Sequence, residues 1–232
     1  MERLSLTPAA ALFDYVIGNP KALAGGKRYL EADLNRSAPG RAKGKAYEER
    51  RAFELMRQFK PYRYVVDLHE TRANDRMILI LMKLTPRTLA LASAFPVADI
   101  LYWPSGKPTG PLTQFVPRGL EVESGTKTSF GKTQRKLQRV LKVFLKNLDL
   151  IPAQEKALRR KTALPKGKRF FHVYATIDPQ EVTDPSKLRD FRPARSRQGE
   201  RFVALLFGKF AGLTGYKMRL MDAADVARHR EP

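Results

Sequence analysis

At 232 residues, with 43% apolar and 29% charged side chains and 15 glycines beside 16 prolines, the chain has ordinary globular usage, which excludes a collagen-like, low-complexity or wholly disordered protein. Lys and Arg number 44 against 23 Asp and Glu, a formal charge of +21 that draws polyanions without any dedicated site. Zero cysteines exclude a disulfide framework, a thiol nucleophile and any Cys-ligated metal, and fit a reducing compartment.

In chain order, Met1-Glu2-Arg3-Leu4-Ser5 sets an acid beside its base, and Asp14 breaks the apolar run that follows, so no signal peptide is read. Leu12 to Ile17 is β-rich and stops at Gly18-Asn19-Pro20, which predicts a strand ending in a turn. Residues 21–43 show no period and predict one long structured loop, of a length that inside a domain is usually functional or disordered. Ala52, Leu55, Met56 and Phe59 recur at helical spacing, placing a helix over about 45–59 that ends before Pro61. Tyr64 to Leu68 reads as a strand, and Met77 to Met82, six apolar residues in a row and unexceeded in the chain, as a strand buried on both faces and far too short to cross a bilayer. Thr85-Pro86 is a strong helix start, with the hydroxyl as cap and Pro at the first helical position, for a helix running to about Ala94. Asp99 to Tyr102 and Gly119 to Glu123 predict two further strands, and Leu137, Val140, Leu141, Phe144, Leu145 and Leu148 form the apolar stripe of a basic helix. Residues 150–169, basic and interrupted by Pro152 and Pro165, read as a linker or a crossing segment, and Phe170 to Ile177, Phe202 to Phe207 and Tyr216 to Leu220 as strands beyond it. The expected fold is α/β: a mixed sheet with helices on both faces over residues 1–150, then a linker and small C-terminal β domain over 151–232. No repeat of solenoid length is visible, and the expected compartment is the cytoplasm.

The chemistry is sparse. Of three histidines, His172 reads as a satisfied member of a sheet and His229 as part of a charged tail; none has a metal-ligand partner at local helical spacing. His69 differs, because it falls at the C-terminal end of a buried strand, where α/β sheets place their sites. Neither a G-x-S-x-G elbow nor a P-loop occurs. Glu121 and Glu123 share one face of a strand and read either as a solvated edge or as a catalytic carboxylate. Lys27, Arg28, Arg36, Arg41 and Lys43 crowd the long loop; they read as a solvated face or, with Asn35 beside Arg36, as a carboxylate-binding group.

The order of these pieces is more telling than any one of them. Asn19-Pro20-Lys21-Ala22, Arg28-Tyr29, Asp33-Leu34-Asn35-Arg36, Asp67-Leu68-His69 and Glu123-Ser124-Gly125, with a further Gly131, together resemble the succinylglutamate desuccinylase/aspartoacylase family. That resemblance implies a zinc-carboxypeptidase-like fold and a zinc-dependent hydrolase that deacylates an N-acyl amino acid or a similar anionic amide or ester. It implies that His69 is a zinc ligand, that Glu123 is the general base, with Glu121 as its understudy, and that Arg28, Asn35 and Arg36 bind the substrate carboxylate, Arg28 also steadying the oxyanion. It implies convergence of these groups on one pocket. The family also takes two zinc ligands from an H-x-x-E segment ahead of the first strand read here. The expectation is therefore that the sequence holds one zinc ligand of three, that the other two belong to an N-terminal segment of about 40 to 60 residues missing ahead of it, and that activity of the chain as given stays open. Two further departures, Thr113 in place of an arginine and Asp225 in place of a tyrosine, leave the acyl group open. The competing readings are a non-catalytic anion-binding or interaction protein on the same scaffold, and a basic protein binding nucleic acid through charge alone. The expected partner is a small anionic acylated substrate, with no membrane and with nucleic acid at most non-specific.

Overall fold

The structure is a computed structural model and describes residues 13–70, 76–125, 130–160, 164–206 and 215–231. By internal contacts the chain divides into two units, residues 1–67 with 105–120 and residues 68–104 with 121–232.

In the first unit, helix α1 (Pro20–Ala24) begins where the sequence suggested a turn. Asn19 accepts the Ala22 N–H at 3.1 Å, and Pro20 opens the helix, whose first N–H groups need no internal partner. Helix α2 (Tyr47–Gln58) matches the predicted stripe. Its Ala52 and Leu55 pack with Ala38 and Leu112 in a small core flanked by Leu34, Met56, Phe59 and Phe115. Gly40 sits against this helix at φ +77°, where a Cβ would lie 2.3 Å from the Glu49 carbonyl oxygen, so the close approach requires glycine. The strand expected over 12–17 is not formed: residues 13–17 are in no ladder, and Tyr15 is 84% exposed. Hydrophobic β-rich residues make a strand only when a neighbour pairs the backbone. Here Arg51 does so instead, donating to the Ile17 and Gly18 carbonyls at 2.9 and 2.8 Å. Leu12 lies outside the described residues.

The strands are β1 (Val65–His69), β2 (Ile78–Leu81), β3 (Asp99–Tyr102), β4 (Gly119–Glu123), β5 (Arg169–Thr176), β6 (Pro193–Arg195), β7 (Arg201–Leu205) and β8 (Tyr216–Met221). They form one mixed sheet in the order β1-β4-β2-β3-β5-β8-β7-β6. Strand β2 is buried throughout, parallel to β3 and antiparallel to β4, as its unbroken Ile-Leu-Ile-Leu run requires. The C-terminal strands β5 to β8 continue this sheet. One face carries a core of Ile78, Ile80, Met82, Leu101, Phe171, Val173, Leu205 and Met218. Buried Lys217 is satisfied by Glu181 and Glu200, each at 2.7 Å.

Helix α3 (Pro86–Ser93) has the expected start: Thr85 and Thr88 cap each other reciprocally. Helix α4 (Phe130–Lys146) is the basic helix read from its stripe, and its Phe144 stacks on Phe95 at 4.1 Å between ring centroids. The predicted linker over 150–169 instead contains helix α5 (Ile151–Arg160). Pro152 is its second residue, a position that tolerates proline because no N–H is lost from the ladder. A last helix, α6 (Ala223–His229), was also not expected; Asp222 and Asp225 form its capping box. The expected strand over 202–207 ends at Leu205, and Phe207 lies outside the described residues. Among the described residues no helix is long and apolar enough to cross a membrane.

Candidate functional site

In the first unit, Arg28, Asn35 and Arg36 sit on a loop held by a carboxylate beneath it. Glu48, in the first turn of α2, has no exposed surface. It accepts the N–H groups of Leu30, Glu31 and Ala32 at 2.6, 3.2 and 3.1 Å and the Asn19 amide at 2.9 Å. Burial pushes this carboxyl up, but the Leu30, Asn19 and Ala32 donors outweigh it and hold the pKa at about 2. Asp33 orders the next turn: it accepts the Asn35 N–H at 3.0 Å and the Arg28 guanidinium at 3.0 Å. Arg28 and Arg36 stay exposed, Arg36 donating back to the Asn35 carbonyl at 2.9 Å. The three residues singled out from the sequence thus share one ordered loop of 28–36, built by two acids, Asp33 and Glu48, whose roles the sequence reading did not assign.

At the other candidate centre, β1 and β4 are neighbours. The Val65 N–H donates to the Arg118 carbonyl at one end, and the Ser124 N–H to the His69 carbonyl at the other, both at 3.0 Å. Bonds in that sense run the two strands in the same direction and set Glu121 across from Asp67 and Glu123 across from His69, all four on one face. The Ser124 hydroxyl adds a second bond to the His69 carbonyl at 3.0 Å, so the end of the histidine-bearing strand is doubly tied. Gly125 follows at φ +103°, a conformation that fits the glycine of the E-x-G pattern. Asp67, His69 and Glu121 each offer a ligand atom, all within 4.8 Å of one another. One imidazole and two carboxylates are a donor set that divalent zinc or a similar cation accepts, and Glu121, 3% exposed, is a buried acid whose charge such an ion offsets. From the sequence, His69 was expected as a ligand and Glu121 as understudy to the Glu123 base, and Asp67 was not singled out. The signal was present, since residues two apart on a strand share a face.

The two positions that depart from the family pattern, and the two remaining histidines, lie in ordinary structural surroundings. Thr113 is buried in a short 3-10 turn, Leu112–Phe115, and Asp225 belongs to the α6 capping box. His229, expected in an inert tail, packs on His172 at 4.7 Å between ring centroids, with Tyr102 against both.

Residues 4–149 match the family model described as the succinylglutamate desuccinylase/aspartoacylase catalytic domain. The chain belongs to that family. Similar curated proteins of the family include a probable aspartoacylase from Prochlorococcus marinus strain AS9601, 34% identical over 127 residues that make up 49% of this chain and 42% of the relative. Another, from the CCMP1986 strain of that species, is 30% identical over 171 residues, 70% of this chain and 57% of the relative. The chain therefore spans about half the length of the curated relatives it matches. Solved structures with the family fold include murine aminoacylase 3, at TM-score 0.63 and 19% identity over 89% of this chain and 82% of that one. The succinylglutamate desuccinylase from Chromobacterium violaceum matches at TM-score 0.58 and 18% identity over 88% and 72%.

Proposed function

We propose that the chain carries the hydrolytic part of a metal-dependent deacylase acting on an N-acyl amino acid or a similar anionic amide or ester. The observation that supports this most is the meeting of Asp67, His69 and Glu121 within 4.8 Å on the strand pair that also bears Glu123. His69, with Asp67 and Glu121, would hold zinc, which when bound supplies the positive charge that acidifies a water and polarises a carbonyl. Glu123 takes the proton from the attacking water and delivers it to the departing amine, the work of a general base that becomes an acid. Arg28 and Arg36 offer guanidinium forks and Asn35 an amide to the substrate carboxylate, donors suited to a planar anion. The end of the family match at residue 149 supports reading 151–232 as the appended C-terminal β region.

The test has two arms. Titrated with zinc, the protein is expected to bind one equivalent, and His69→Ala to lose at least about tenfold in affinity, as removal of one ligand requires. Against a panel of N-acetyl and N-succinyl amino acids, Glu123→Gln is expected to lower turnover by about 10²- to 10⁴-fold with zinc binding retained. Zinc binding that is indifferent to His69 contradicts the assignment.

A further inference from the structure

Helix α4 stands out among the helices of this basic protein. Lys132, Arg135, Lys136, Arg139, Lys142 and Lys146 are all exposed. At 3.6 residues per turn their directions fall within about a third of the helix circumference. No acid occurs between residues 130 and 148. Other helices carry acids that pair with one of their bases: Arg51 with Glu54 on α2, Arg159 with Glu155 on α5 and Arg228 with Asp225 on α6. On α4 each basic residue has another three or four positions away, the spacing at which like charges repel. A general excess of lysine and arginine does not by itself sort six of them onto one face.

We infer that this face is a docking surface for the phosphodiester backbone of double-stranded nucleic acid. The stripe from Lys132 to Lys146 runs about 21 Å at 1.5 Å per residue, long enough to follow several phosphates of one strand, which recur about every 3.4 Å of helix axis. The contact neutralises the repulsion along the face and releases counterions from the duplex. An anionic membrane is the poorer match, because the opposite side of the helix is already used. Val140 and Phe144 are buried, Phe144 stacks on Phe95, and Asn147 just past the helix end donates to the Ala94 carbonyl at 2.9 Å. An interfacial helix needs that apolar side for lipid. Among the described residues no base-reading element accompanies the stripe, and the contact inferred is to the backbone and sequence-independent.

The experiment is fluorescence anisotropy with a labelled duplex DNA of about 20 base pairs, over about 0.05 to 0.3 M KCl. The test variant carries Lys132→Gln, Arg135→Gln, Arg139→Gln and Lys142→Gln. A control removes the same four charges elsewhere, at exposed Lys43, Lys60, Lys107 and Lys166, each to Gln. Glutamine keeps helix propensity close to that of lysine, and far-UV circular dichroism checks that both variants match the parent. Should the fourfold variant fail to fold, the double variant Lys132→Gln/Lys142→Gln replaces it. The α4 variant is expected to weaken binding at least about tenfold at 0.1 M salt and to flatten the slope of log K against log salt by about three to four units, while the control shifts affinity less than about threefold. Equal losses in the two variants would show that the +21 charge acts as a whole and overturn the assignment. So would an absence of duplex binding by the parent, or binding through α4 to vesicles of phosphatidylglycerol but not to DNA.

Discussion

Glu48 has no exposed surface, yet its carboxylate is held at a pKa of about 2 because three backbone N–H groups and the Asn19 amide surround it. Those donors belong to the stretch that leads into Asp33 and the Asn35-Arg36 pair, so this acid orders a loop it never leaves. Its ordinary value is 4.5, and the folded value is lower. The stabilisation is therefore complete above about pH 4.5 and is lost as pH falls through the folded value. Glu48→Gln is expected to destabilise the protein by about 1–3 kcal/mol at pH 7, since it leaves buried donors short of an anionic acceptor. Urea denaturation checks this, and the parent's loss of stability between about pH 4.5 and 2.5 is expected to shrink in the variant. None of this is legible in the sequence, where Glu48 is one more acid in the first turn of a helix and Asn19 lies 29 positions away. His69 is the opposite case. Its place at a strand end follows from the β-rich run Tyr64-Val65-Val66-Asp67-Leu68 just before it, whereas the approach of Glu121 depends on a strand some fifty residues later.

The elements that the sequence predicted best are those with local signals of their own. Thr85-Pro86 announces α3 through a hydroxyl cap and a fixed φ, and the apolar stripe announces α4. The errors lie where a local signal needs a partner or has two meanings. Leu12 to Ile17 has strand chemistry, but its described part finds no ladder; Pro152 reads as a breaker and is a helix opener. Helix α6 illustrates docking by aromatic contact. Its His229 lies on His172 of β5 and on Tyr102 of β3, with Arg219 of β8 3.3 Å from the His172 ring and Asp225 facing the pair from α6 itself. Burial, then the neighbouring His229 and Arg219, push the His172 pKa below its ordinary value, with Asp225 opposing. A histidine depressed in the folded state binds protons more readily when unfolded, so its contribution is whole above about pH 6.5 and declines as pH drops. Folding stability measured from pH 7.5 down to 5.5 is expected to fall in the parent and to fall less in His172→Phe. An unchanged pH dependence in that variant contradicts the role given to the pair.

At the scale of the whole molecule, +21 on 232 residues means self-repulsion that the ion pairs of the helices and strands relieve only locally. Salt screens such repulsion over roughly 10 Å at 0.1 M. The melting temperature is therefore expected to rise as NaCl increases from about 0.02 to 0.2 M, by about 2–4 °C for each kcal/mol recovered in a chain of this size. A melting point that is flat or falls over that range would indicate charges already balanced by their neighbours.

The sequence by itself determined the α/β class, the run of most helices and strands, the loop of arginines and the family, because periodicity, caps and short motifs are encoded within a few consecutive residues. Only the tertiary structure decided that β5 to β8 extend one sheet, that Glu48 closes over the backbone of residues 30–32, and that Asp67 and Glu121 approach His69. Those facts depend on which strand lies beside which and in what register, and a register is chosen by the packing of residues far apart in the chain.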